Sequence, residues 1–432
     1  MDPDRRKHVL CGRSELEYSP AKLIQNEIDY AYTTDVNPQN TIVQGNNIKF
    51  HIEGGPDFVD LANTYLTLEI RLVNADGEGV DDTKQVCPVN NIFHSLWSQV
   101  QVTLKNTDVS HPSQTYPFRP YLENLISYSL DFKTTWMTNQ GWYLDEAGKF
   151  DEGENSALAT RRATILRGKT LKLRGKLSTD VGNQPLLIPS HVDVKVTLSP
   201  NRPEFTVLKF DQDSAVYHID ILSAKLSTRM LKLHPEALLS FERTIARAPI
   251  NIPIQRVEIT TVSITDGLTS YTKNALFNGP LPNYLVIGFL KNVAQSGAYN
   301  TNPFNFAHQD LNHIQLKVND RLVPTQPIEP NYADKEFVTA YESVYSVIGR
   351  LYTDWSNGLS FQDFRGGSAL YGFDLTQDTI CRHDSRRIHG SVDVVVKFKN
   401  PLPETTTMLV YSAGDANISI DQHRNVLLDK GA

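Results

Sequence analysis

Apolar and polar positions alternate most regularly in residues 90–106, NNIFHSLWSQVQVTLKN. Val100, Val102 and Leu104 are apolar, while Gln99, Gln101, Thr103 and Lys105 are polar. A period of two describes a strand with one face on a core and one facing outward. The pattern returns at 304–320, FNFAHQDLNHIQLKVND, where Ile314, Leu316 and Val318 alternate with His313, Gln315 and Lys317. Asn91, His94 and Gln101 recur as Asn305, His308 and Gln315, each 214 positions further on.

Two more blocks recur in the same order. Leu61-Ala-Asn63-Thr-Tyr65-Leu66 is answered by Leu281-Pro-Asn283-Tyr284-Leu285, with one residue deleted. Val192-Asp193-Val194-Lys195-Val196 is answered by Val392-Asp393-Val394-Val395-Val396. The offsets drift from 220 through 214 to 200, as loops of unequal length would make them. Such self-similarity fixes architecture before any short motif does. It predicts two tandem copies of one β-rich domain.

Further alternation predicts strands around Ile48–Ile52 and at 66–72, 171–174 and 192–198 in the first half. In the second half it predicts them at 216–226, 256–264, 284–290, 392–398 and 408–411. Helical spacing is confined to three places. Leu122, Leu125 and Ile126 share a face, as do Leu238, Phe241 and Ile245 behind Pro235, and Phe337, Tyr341, Val344 and Ile348 within 334–348. Many short strands and few helices describe an all-β fold of tandem jelly-roll sandwiches. The expected division is an N-terminal arm at 1–44, a first jelly roll at 45–206 and a second at 207–432, with Pro200-Asn-Arg-Pro203 marking the boundary. The arm, too poor in apolar residues for a core of its own, is disordered or docks elsewhere. Long segments at 131–159 and about 292–311 read as exposed loops, and the repeat places both at one end.

Composition narrows the function. Forty-two Lys and Arg against 49 Asp and Glu give a net charge of −7, which argues against whole-surface nucleic-acid binding. Cys11, Cys87 and Cys381 are too few and too scattered for a disulfide framework, so folding in a reducing compartment is expected. MDPDRRKHVL lacks a signal-peptide core, and apolar runs such as 284–290 are too short to span a bilayer. A soluble protein made inside a cell is expected.

Chemistry-bearing motifs are sparse. No P-loop, dinucleotide-binding glycine pattern or HExxH is present. Cys381 with His383 and Asp384 lacks the spacing of a nucleophile and its base. His94 and His308 read as structural imidazoles at matching turns. The densest basic run, Arg161, Arg162, Arg167, Lys169, Lys172, Arg174 and Lys176, offers phosphate contacts on one reading and a solvated or inter-subunit face on the other. Trp136, Trp142 and Tyr143 either anchor a neighbouring subunit or pack under their own loop. Asp145-Glu146 and Asp151-Glu152 are the nearest approach to paired carboxylates. No catalytic, cofactor or metal site is predicted.

Three runs taken together carry a resemblance: FVDLANTYL at 58–66, the stretch 90–106, and YPFRPYLENL at 116–125. They resemble the hexon-like major capsid protein of Polinton (Maverick) elements and adintoviruses, most strongly over about 14–127. The resemblance implies a non-enzymatic double jelly roll. Homotrimers of pseudo-sixfold outline would tile the icosahedral shell of a double-stranded DNA virus or virus-like transposon, with the protein located in the virion. It also implies penton and minor capsid proteins as partners, a maturation protease, and non-specific contact with packaged DNA. The alternative from another class is a tandem β-sandwich glycan-binding protein or hydrolase. Oligomeric state separates the two, since the capsid reading requires a trimer.

Overall fold

The computed structural model describes residues 27–211, 214–376 and 389–429. Cys11, the basic cluster at 5–8, and Cys381 with His383 and Asp384 lie outside the described residues. The first strands in chain order are β1 (Ile28–Val36), β2 (Ile48–Ile52), β3 (Phe58–Asn74), β4 (Val86–Pro88), β5 (Trp97–Leu104) and β6 (Thr107–Asp108). They are followed by β7 (Thr170–Gly175), β8 (Val194–Pro200), β9 (Val207–Lys209) and β10 (Tyr217–Leu233). The helix Pro235–Arg247 leads into β11 (Ile250–Ile264), β12 (Ser270–Pro280), β13 (Tyr284–Lys291), β14 (Leu311–Val318) and β15 (Arg321–Ile328). The chain ends with β16 (Leu370–Asp374), β17 (His389–Phe398), β18 (Thr406–Ile420) and β19 (Val426–Asp429).

These strands form two pairs of four-membered orders. The first pair is β1-β10-β3-β7 and β2-β8-β5-β6; the second is β11-β18-β13-β16, with β19 added on β18, and β12-β17-β14-β15. Set aside the small β4-β9 pair and number each set by itself. Both then run 1-8-3-6 and 2-7-4-5. Two jelly rolls of one topology therefore follow each other in the chain, and the fold is mostly β with short helices, as expected.

The repeat is most exact where the alternation was clearest. β5 and β14 have the same bounds 214 residues apart. Val100, Val102 and Leu104 pair with Leu198, Val196 and Val194. Ile314, Leu316 and Val318 pair with Val396, Val394 and Val392. Val392 therefore stands where Val194 stands, not Val192 as the sequence match had it. A shift of two residues keeps every side chain on its face, so the pattern could not reveal it.

Two segments sit differently from the sequence division. Ile28–Val36, assigned to the arm, is the first strand of the first set and pairs with β10 from Ile28–Leu233 to Val36–Leu226. β10, assigned to the second half, lies between β1 and β3 and pairs with β3 from Tyr217–Asn74 to Leu231–Phe58. The prolines at 200 and 203 end β8 and start a short helix; the closing strand of the sandwich comes after them. The segment 131–159, expected to be exposed, carries the short helix Leu130–Thr134 and a 3-10 turn, Trp136–Gln140. It buries Met137, Trp142 and Phe150. The third expected helix begins at Val338 rather than 334, because Asp334 closes a turn by accepting from Asn331 Nδ2 at 2.7 Å.

Candidate functional site at the joint between the halves

The helix Phe118–Ser127 turns its aromatic face to the second half. Phe118 and Tyr121 are three residues apart and share that face. The Tyr121 ring stacks on Phe304 at 4.0 Å and 3°. Phe118 meets Phe304 edge-on at 5.9 Å and Phe205 at 5.8 Å. Trp142 covers Tyr121 from its own loop, 5.1 Å away, and Phe306 adds a contact at 6.1 Å. Trp142 thus packs inside its own chain, while Trp136 is 52% exposed. Each such aromatic pair adds roughly 0.5–1.5 kcal/mol beyond the area it buries.

A buried polar network lies beside these rings. Arg161, only 2% exposed, donates to Asp145 Oδ1 (2.7 Å), Tyr143 O (2.6 Å) and Pro88 O (3.1 Å). The other oxygen of Asp145 accepts from Asn302 Nδ2 at 2.9 Å, across the joint. Asp151 accepts from the Asn302 backbone N–H (2.7 Å) and from Asn305 Nδ2 (3.0 Å). The Gly148 N–H donates to Gly366 O at 2.6 Å. A Cβ on Gly366 would stand 2.6 Å from Ala147 Cβ, so only glycine permits this approach. The loops expected at one end, 131–159 and 292–311, do meet.

More crossings extend the joint. Arg119 donates to Asp180 (2.5 Å) and Glu123 (2.9 Å), and Asp180 also accepts from the Val257 N–H at 3.3 Å. Lys105 donates to His423 O at 2.8 Å, and Thr107 to Val426 O at 2.7 Å. Arg424 donates to Ser190 O at 2.9 Å and to Glu242 at 2.5 Å. Buried charges cost stability unless paired, and here Arg119 is paired with Asp180 and Arg424 with Glu242.

The basic run is spent largely within the chain. Beyond Arg161, Arg162 donates to Gln85 Oε1 (3.0 Å) and Asp82 O, and Arg167 pairs with Asp82. Lys169 donates to Ala163 O at 3.1 Å, Lys172 pairs with Glu69 at 2.8 Å, and Arg174 lies over the Tyr65 ring. In β7, exposed Lys172 and Arg174 alternate with Leu171 and Leu173, the solvated-face reading. The acidic pairs are likewise engaged. Glu146 accepts from the Ser156 N–H at 3.0 Å and from Lys149 at 2.9 Å, and these bonds hold its carboxyl down at about 2. Asp145 and Asp151 serve the joint.

The two matched histidines have different surroundings. His94 is buried between Tyr116 and Gln140. Gln140 Oε1 can only accept, so His94 Nε2–H donates to it at 3.1 Å, and Nδ1 of the neutral ring accepts from the Tyr116 hydroxyl at 3.0 Å, which in turn accepts from the Ser178 N–H. Desolvation drops this imidazole to about 3. His308 is half-buried, stacked on Tyr332 at 4.1 Å, and its Nδ1 accepts from the Asp310 N–H at 2.9 Å. Burial lowers it as well, against the opposing pull of Asp310. Cys87 is buried in β4, where desolvation pushes its thiol up to about 12. No helix among the described residues is long and apolar enough to cross a membrane.

No protein-family model matches the chain. It is 23% identical over 400 residues to the uncharacterized protein F54H12.2 of Caenorhabditis elegans, covering 90% of this chain and 92% of that protein. Its fold is that of a chain in the Sputnik virophage structure (TM-score 0.65, 14% identity, 98% of this chain and 93% of that one). It also matches a chain of the PBCV-1 virus capsid (TM-score 0.62, 12% identity, 96% and 100%) and the Faustovirus major capsid protein (TM-score 0.56, 7% identity, 99% and 94%). The chain has the double jelly-roll fold of viral capsid proteins.

Proposed function

We propose that this chain is a major capsid protein. It self-associates into homotrimers of pseudo-sixfold outline that tile the icosahedral shell of a double-stranded DNA virus or virus-like transposon, of the Polinton or adintovirus kind. The observation that carries the reading is the pair of eight-stranded jelly rolls with one strand order, locked together in one chain by a buried joint. Three such chains offer six similar walls around an axis, which closes a ring without demanding six identical subunits. On this reading the helix Pro235–Arg247 is the boundary between the walls. The mechanism is geometric, and the protein's place is the virion. Its partners are its own copies, followed by the penton and minor capsid proteins that the sequence resemblance suggests.

Lateral contacts fall to exposed aromatic residues. Tyr128, Phe132 and Trp136 are 42%, 37% and 52% exposed, within one short segment. Tyr30 and Tyr32 stand on the edge strand β1. Buried aromatics carry much of the energy of protein interfaces. Size-exclusion chromatography with light scattering tests the proposal. A mass three times the 48.6 kDa chain is expected. A species that stays monomeric across salt and concentration contradicts it.

A further inference from the structure

Beside the joint lies a cavity of about 290 Å³ whose walls include Leu125, Leu130, Trp142, Leu144, Ala157 and Leu359. Leu130 is 49% exposed and lines the cavity, so the mouth opens beside it. Gly358, at φ +72°, forms part of the wall; a Cβ there would stand 2.6 Å from Leu130 Cβ. The lining also holds Thr134, Thr138, Ser156 and Thr160, exposed or half-buried, and two fully buried polar side chains, Lys133 and Asn357, 3% and 0% exposed.

Neither is fully satisfied. Lys133 Nζ donates to Leu125 O at 2.5 Å and to Asn357 O at 2.7 Å, one carbonyl from each half. In the protonated form the group has three donors, so one hydrogen is left over. Desolvation pulls Lys133 down to about 7, and no carboxylate of the described residues offsets that cost. The Asn357 amide is held in one orientation, because its Oδ1 accepts from the Leu359 backbone N–H (3.0 Å) and the Tyr345 hydroxyl (2.7 Å). Its buried Nδ2 has no partner. The hydroxyls of Thr134, Thr138 and Thr160 donate to the backbone carbonyls of Leu130, Thr135 and Ser156.

The site therefore lacks an acceptor that carries negative charge, next to an apolar space. A carboxylate accepts from both groups and supplies the counter-charge a buried ammonium needs. At ~30 Å³ per heavy atom, the share of a liquid water, the space holds about ten such atoms. We propose that this cavity binds a small unbranched carboxylate of about eight carbons in all, its head included. Its head is held by Lys133 Nζ and Asn357 Nδ2, and its tail lies against the leucines and Trp142. Because Lys133 already touches both halves, the bound ligand also tightens the joint.

Titration calorimetry on the purified full chain, in whatever oligomer it forms, tests this with octanoate, octanol and octylamine as probes. Octanoate should bind once per chain, at least about tenfold more tightly than octanol, the margin of one charge-assisted hydrogen bond. Octylamine should not bind. Lys133→Met should cost octanoate at least about tenfold and leave octanol unchanged or tighter. Ala157→Leu fills the space from the wall, keeps Lys133, and should abolish binding of both. Three results overturn the proposal: no octanoate binding to the folded chain at about 1 mM, the weak end of specific association; octylamine binding as well as octanoate; or octanoate affinity unchanged in either folded variant. The mouth at Leu130 lies within the segment 128–136 assigned above to lateral contacts, so the titrations are run on monomeric and assembled fractions alike; octanoate binding by a chain that stays monomeric upholds the site while contradicting the capsid reading.

Discussion

Residues 90–106 and 304–320 hold the same strand in two settings. From Trp97 and Leu311 onward they agree position by position, down to the register with β8 and β17. Ahead of the strand they part. In the first copy the lead-in closes on itself around a buried His94. In the second it sends Phe304 and Phe306 into the first half's aromatic face, while His308 rests half-exposed on Tyr332. The wall was duplicated and the joint was not. Strand pairing is set by a period that any copy inherits, whereas a joint needs unlike surfaces that fit each other.

The widest break in that asymmetry comes from Phe304→Ala. It removes the ring stacked on Tyr121 and should cost about 4 kcal/mol. Chemical unfolding followed by tryptophan fluorescence should show this, with the single transition splitting as the halves uncouple. An unchanged midpoint would mean the rings do not hold the joint. Arg161→Met should cost about 3 kcal/mol, because Asp145 is left buried without its counter-charge, and the same unfolding assay reads it.

The two histidines sharpen the comparison through pH. A folded-state value near 3 for His94 lies below the ordinary ~6.5, so the unfolded chain binds the extra proton. The stability His94 contributes is complete above pH ~6.5 and falls as pH drops from there toward about 3, by up to ~1.4 kcal/mol per unit. His94→Gln should remove close to one proton from the slope of stability against pH between 4 and 6, and His308→Gln should remove less. Equal slopes would make the two sites alike and contradict the structure.

Smaller effects follow at the surface. Trp136→Ser should shift the mass measured by light scattering from trimer toward monomer and make the unfolding midpoint less dependent on protein concentration. Lys172→Ala should alter neither the midpoint nor any retention on DNA, since its side chain is a solvated partner of Glu69.

Much of the fold was legible because burial imposes a period. The alternation in β5 and β14 and the three recurring blocks were enough for two jelly rolls. β1 escaped because its residues are exposed almost throughout, so IDYAYTTDV carries no buried face to announce it. β10 was assigned to the wrong side of the prolines because the partner of a closing strand is not written in its neighbours. The joint was half legible. Trp142 carries both destinies in the sequence, whereas Phe304 and Phe306 lie in the repeated stretch with no counterpart in the first copy to mark them. The Asp145–Asn302 bond spans 157 positions and joins two ordinary polar residues, for which no local pattern exists.

The most direct test of the account is electron microscopy of the purified assembly, classified for symmetry. The account predicts particles of three chains with six lobes around one axis, alternate lobes matching the two jelly rolls and each adjacent pair within a chain held through Tyr121 and Phe304. Particles with one chain, or with the two jelly rolls of a chain separated from each other, would contradict it.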